Sequence, residues 1–230
     1  MAHPAHFREQ HPIPFVLTHW INLLAIAFLT FSGFYIHFPF FAGFMGVARG
    51  IHFFWMWVLL INIVVRIILA FTVQDSSLLG NKTKNGKDIK NWLPQPQNRH
   101  QFWAWIKYYT FLKKDHPISA KYGVLQKIAY LVTIPLTFWA AYTGFSIYNP
   151  AHNWAIWSMF QAGLDWVGGP MNMRIIHYYT MWVFIIFTAF HAYLANIEGF
   201  APSRIIFAWK EGPGLTFDEN GKVVGKVGEH

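Results

Sequence analysis

The sequence predicts an all-α integral membrane protein, a four-helix bundle, and three observations predict it. Of 230 residues, 54% are apolar and only 12% charged, about half the charged share of soluble chains. Segments 14–35, 51–73, 122–148 and 175–197 each contain no acidic residue and reach the roughly 20 apolar residues a helix needs to cross hydrocarbon. Sixteen of the eighteen Lys and Arg fall before span one, between Arg66 and Lys127, or after span four, whereas Arg49 and Arg174 alone occupy the other two connections. That asymmetry places both termini and the long central loop in the cytoplasm. Helices are the solution for such spans, because an open sheet in lipid leaves its edge backbone groups unsatisfied.

Span one begins after a leader with Arg8 as its only lysine or arginine, and no small-x-small cleavage pattern follows it, so it reads as a retained helix. Span two opens at Arg49-Gly-Ile-His52. The loop at 74–121 starts polar, with Asn85-Gly86 and Pro94-Gln-Pro96, then turns aromatic and basic at Phe102-Trp-Ala-Trp-Ile-Lys-Tyr-Tyr109. Trp, Tyr and Lys favour the headgroup layer, so this second part reads as a helix lying in the interface. Span three carries Pro135, where a kink is expected. The connection at 149–173 holds Trp154, Trp157, Trp166 and Gly168-Gly169 and reads as a partly buried cap, a contact surface for a partner. Residues 1–210 form one transmembrane domain, and 211–230 a polar cytoplasmic tail whose Glu219-Asn-Gly-Lys222 reads as the turn of a small hairpin. The one internal likeness is between Phe31-Ser-Gly-Phe34 and Tyr142-Thr-Gly-Phe145.

Two function classes fall away. The chain has no cysteine, which excludes disulfides, thiolate-held iron–sulfur clusters and thioether-linked haem. The net charge of +8 needs no nucleic acid to explain it, since topology and anionic lipid suffice.

Ionisable groups inside spans are costly and mark function, which makes the twelve histidines the central question. Eight fall in loops, tails or, as His37, at a helix end. The remaining four are His19 in span one, His52 in span two, and His177 and His191 in span four. With the orientation set by Lys and Arg, His52 and His177 lie near the outer side and His19 and His191 near the cytoplasmic side. Fourteen residues separate the two histidines of span four, a rise of about 21 Å with an azimuthal difference of roughly 40°, so both face one interior. The pairs His52/His177 and His19/His191 then supply axial ligands for two b-type haems without thiolate or methionine. Arg49 and Arg174 stand three residues before His52 and His177, on the same helical face, where guanidinium suits a haem propionate. The bland alternatives are helix-end anchoring for the arginines, and a haem-free anchor or transporter for the chain.

Through Thr18-His-Trp20, Arg49-Gly-Ile-His52, Tyr142-Thr-Gly-Phe145, Arg174-Ile-Ile-His177 and His191-Ala-Tyr193, the chain resembles the di-haem cytochrome b subunits of membrane-bound nickel–iron hydrogenases, with relatives in formate dehydrogenases and thiosulfate reductases. The resemblance implies the same four histidine ligands and a multi-pass place in a prokaryotic inner membrane. It implies partners on the outer face, the hydrogenase small and large subunits or an analogous iron–sulfur and catalytic pair. Electrons from them would cross both haems to menaquinone or ubiquinone near the cytoplasmic side. Trp20, Asn22, Lys127 and His191 are the quinone-site candidates, by position. The competing readings are a formate dehydrogenase or thiosulfate reductase subunit, and a self-sufficient transmembrane haem reductase.

Overall fold

The computed structural model describes residues 12–75, 86–93, 101–113, 124–148, 152–196, 206–207, 215–217 and 223–226. Four helices are long and apolar enough to cross a membrane: α1 (Ile13–His37), α2 (Met45–Thr72), α5 (Val124–Ser146) and α7 (Pro170–Asn196). Between them come α3 (Ile89–Trp92), α4 (Phe102–Tyr109) and α6 (Trp157–Val167). Two antiparallel strand pairs, β1 (Gln74–Asp75) with β2 (Gly86–Lys87) and β3 (Leu215–Phe217) with β4 (Val223–Lys226), are a small addition to the expected all-α class. The second is the tail hairpin that the sequence predicts, although its turn, 219–222, lies outside the described residues, as does Pro94-Gln-Pro96.

The spanning helices run further than hydropathy alone indicates. α2 begins at Met45 and α7 at Pro170, so Arg49 and Arg174 belong to helices and not to connections. Proline opens α7 naturally, because a first-turn residue has no intrahelical partner for the amide it lacks. α5 continues through Pro135. The surface of α2 shows why a membrane is the fitting solvent: Phe54, Trp57, Ile61, Val64 and Ile68 are all exposed, an apolar face far too continuous for water.

The chain packs as two compact units, each described by itself: Met1–His19, Val65–Val132 and Ala192–His230 in one, Trp20–Val64 and Thr133–His191 in the other. In the first, Arg66 of α2 donates to Asp88 Oδ2 at 2.7 Å, and Trp92 Nε1 donates to the same oxygen at 3.0 Å. The guanidinium also lies 4.1 Å from the Phe15 ring centre and 4.9 Å from that of Trp92, in range for cation–π attraction. Asp88 is fully buried, so both a cation and a neutral donor compensate its desolvation. Lys127, also buried, donates to the Leu93 carbonyl at 3.1 Å. The short segment 88–93, which includes α3, is thereby tied to α2 and α5 by polar contacts.

In the second unit, Asn62 donates to Asn22 at 2.6 Å, and Phe28 stacks on Trp55 at 4.6 Å; both join α1 to α2. α6 forms the expected cap. Its Phe160, Gly163 and Leu164 are buried, and the Tyr142 hydroxyl of α5 donates to the Met159 carbonyl at 2.8 Å. A Cβ at Gly163 would stand 2.8 Å from Tyr142 Cζ, so glycine is what lets the two helices approach. α6 stops at Gly168, whose φ of +81° places it in the left-handed region that glycine adopts without steric cost.

Candidate functional site

Within the second unit, helices that are distant in sequence bring His52 and His177 together. Their ring centroids are 6.2 Å apart with planes inclined at 70°. Metal–imidazole bonds are about 2 Å long, so two rings sharing one ion have centres about 6 Å apart once half a ring is added on each side. The observed separation therefore fits bis-histidine ligation, and the inclination is compatible with it because axial rings rotate independently about the metal–nitrogen bonds.

Each ring is held by a hydroxyl from the neighbouring helix. Ser32 Oγ of α1 lies 3.0 Å from His52 Nδ1, and Thr143 Oγ1 of α5 lies 2.9 Å from His177 Nδ1. Each hydroxyl is followed by a glycine against the same ring. A Cβ at Gly33 would meet His52 Cε1 at 3.6 Å and Met181 Sδ at 3.4 Å, and one at Gly144 would meet His177 Cε1 at 3.2 Å. The glycines thus let α1 and α5 pass close to the imidazoles. The sequence reading singled out neither hydroxyl as a site residue. The signal was present in the likeness between Phe31-Ser-Gly-Phe34 and Tyr142-Thr-Gly-Phe145, whose second and third positions are these contacts.

The other predicted residues divide. Arg49 and Arg174 are exposed on α2 and α7, and among the described residues neither pairs with a carboxylate. Each is one helical turn from its histidine, as the spacing requires. His191 lies on α7, exposed, with its ring parallel to that of Phe187 at a centroid distance of 5.9 Å. His19 is half-buried on α1 and belongs to the first unit, whereas His191 belongs to the second. Of the quinone-site candidates, Asn22 is engaged with Asn62 and Lys127 with the Leu93 carbonyl. Trp20 is half-buried on α1. Lys127 falls in one unit and Trp20, Asn22 and His191 in the other.

His37, read from sequence as a helix-end residue without special role, stacks on Tyr178 at 4.1 Å. Tyr178 in turn meets Trp182 at 6.4 Å, and Trp182 meets Phe34 at 5.6 Å, so aromatic contacts join α1 to α7 beside the histidine pair. Among the described residues no group of three or more His, Cys, Asp or Glu could hold a bare metal ion. The donor set is two imidazoles, which is what an iron already held by a porphyrin requires of a protein.

The model for the family described as prokaryotic cytochrome b561 matches residues 10–207. A probable Ni/Fe-hydrogenase B-type cytochrome subunit from Rhizobium leguminosarum bv. viciae is 27% identical over 201 residues, covering 80% of this chain and 79% of that one. The probable Ni/Fe-hydrogenase 1 B-type cytochrome subunit of Escherichia coli (strain K12) is 26% identical over 201 residues, covering 80% of each.

Proposed function

The chain belongs to the prokaryotic cytochrome b561 family, and on that premise we propose that it is the membrane electron-transfer subunit of a hydrogenase-type complex, carrying two b-type haems. Haem b, which the family implies, supplies one-electron chemistry when bound. His52 and His177 would hold one haem, and the 6.2 Å spacing of their rings is the observation that carries this reading. His19 and His191 are the ligands of the other, an assignment that rests on their matched depth along the spans.

Arg49 and Arg174 receive the propionates of the first haem, since each is a cation one turn from a ligand with no carboxylate partner among the described residues. The distribution of Lys and Arg supports a cytoplasmic side for both termini and the central loop, and the family's prokaryotic description supports the inner membrane as the chain's place. The His52/His177 level then faces outward. The names of the relatives support a hydrogenase as the electron donor, its small and large subunits docking on that outer side. A cysteine-free chain leaves iron–sulfur clusters to such a partner. The acceptor is a membrane quinone, menaquinone or ubiquinone, for which Trp20, Asn22, Lys127 and His191 are the candidate residues by sequence position.

Purification from the native membrane in mild detergent tests the reading. A reduced-minus-oxidised spectrum of b-type haem, pyridine haemochrome analysis giving about two haems per chain, and co-purifying hydrogenase subunits whose hydrogen reduces those haems are expected. A haem-free chain would remove the electron-transfer role, and co-purification of a formate or thiosulfate enzyme would reassign the donor.

A further inference from the structure

We infer that Ser32 and Thr143 are a matched pair of positioning residues that fix the ligating tautomer of His52 and His177 and hold down the midpoint potential of the haem between them, an inference that rests on the haem reading above. Each hydroxyl owns a single hydrogen. Ser32 Oγ donates to the Phe28 carbonyl at 2.6 Å, with the Leu29 carbonyl at 3.2 Å. Thr143 Oγ1 lies 3.0 Å from the carbonyls of Trp139 and Ala140. A carbonyl only accepts, so in both cases the hydroxyl hydrogen is committed to the backbone of its own helix.

The same oxygens lie 3.0 Å and 2.9 Å from the Nδ1 atoms of His52 and His177. With its hydrogen spent, each oxygen meets the imidazole as an acceptor. Nδ1 therefore carries the proton, and Nε2 keeps its lone pair for a metal. Ser32 is fully buried and so is Thr143, so no water competes for the bond. The arrangement occurs twice, on α1 toward α2 and on α5 toward α7, each time with a glycine as the next residue giving the ring its room. Two independent helix pairs making one hydroxyl–glycine contact is more than the routine back-bonding of Ser and Thr to their own helix, which would need no imidazole.

Accepting from Nδ1–H makes an imidazole a stronger donor at Nε2, which favours the ferric state over the ferrous. Removing either acceptor should accordingly raise the midpoint. The test uses the intact complex with Ser32→Ala and Thr143→Val, the second preserving shape, beside Ser32→Thr and Thr143→Ser, which keep the hydroxyl. Haem per chain, potentiometric titration and low-temperature EPR of the ferric form are read for all four. Expected are an upward shift of one haem midpoint and altered g-values of that haem in the Ala and Val variants, about 10-fold weaker retention of it, and wild-type behaviour of the other haem. The hydroxyl-keeping variants return the wild-type midpoint. Two results would overturn the inference: unchanged midpoints and EPR in the Ala and Val variants, or equal loss of haem in Thr143→Val and Thr143→Ser, which would make the role one of packing. A wild-type chain without haem would instead defeat the haem reading itself.

Discussion

At the level of His52 and His177 the contacts come from neighbours inside one packed unit: two hydroxyls at Nδ1, two glycines against the rings, and the rings against one another. His19 and His191 belong to different units, and the described ring contact of His191 is with Phe187 of its own helix. The difference teaches that matched depth and a preformed pocket are separate properties. Depth follows from the rise of a helix and is the same kind of fact at both levels. A pocket requires that specific side chains on adjacent helices face the ring, and at the His52/His177 level Ser32, Gly33, Thr143 and Gly144 do so.

The largest expected effect at the first level comes from closing its narrowest gap. A Cβ at Gly144 already stands 3.2 Å from His177 Cε1, so Gly144→Val displaces the ring, and haem analysis should show that level empty while the other stays loaded. Gly33→Ala, with 3.6 Å to His52 and a flexible methionine at 3.4 Å, should keep both haems. Equal haem loss in the two variants would erase the distinction drawn between the two glycines.

Next in size is an effect confined to the unit of His19. Asp88→Ala strips the carboxylate from buried Arg66, a change that costs about 3–5 kcal/mol where a buried pair is broken. Thermal unfolding in detergent should move down, while the spectrum of the His52/His177 haem persists until the chain unfolds. Early loss of that haem would mean the two regions are not separable in this way. Smaller is Gly163→Ala, where the new Cβ meets the Tyr142 ring at 2.8 Å from Cζ. Overpacking of this kind costs roughly 1–3 kcal/mol, and it should show as faster proteolysis within α6 with haem binding intact. Smallest is Asn62→Leu, which removes the bond to Asn22. Interhelical hydrogen bonds in membranes average about 0.6 kcal/mol, so unfolding should shift only slightly; haem loss would show that this pair supports a ligand.

Much of this was legible in the sequence because lipid imposes simple rules. Spans and their type follow from length and hydropathy. The starts of α2 and α7 were missed by about a turn or more, because Met45–Gly50 and Pro170–Arg174 are mixed in character and a window on hydropathy stops where the charge begins. Ser32 and Thr143 were missed as site residues because a hydroxyl in a membrane helix ordinarily bonds its own backbone, as both of these also do. Their second contact depends on which helix packs alongside, which periodicity does not encode. Asn22 was placed by depth alone, and its partner, Asn62, is forty residues away on a helix whose azimuth the sequence leaves open.

Haem per chain in wild type, His177→Ala and His191→Ala, measured with the potentials of whatever haem remains, tests the central claim most directly. The account predicts that each substitution removes one haem and that the survivors titrate at different potentials, because α7 serves two separate centres. Unchanged haem content in both variants, or loss of the same centre in each, would contradict it.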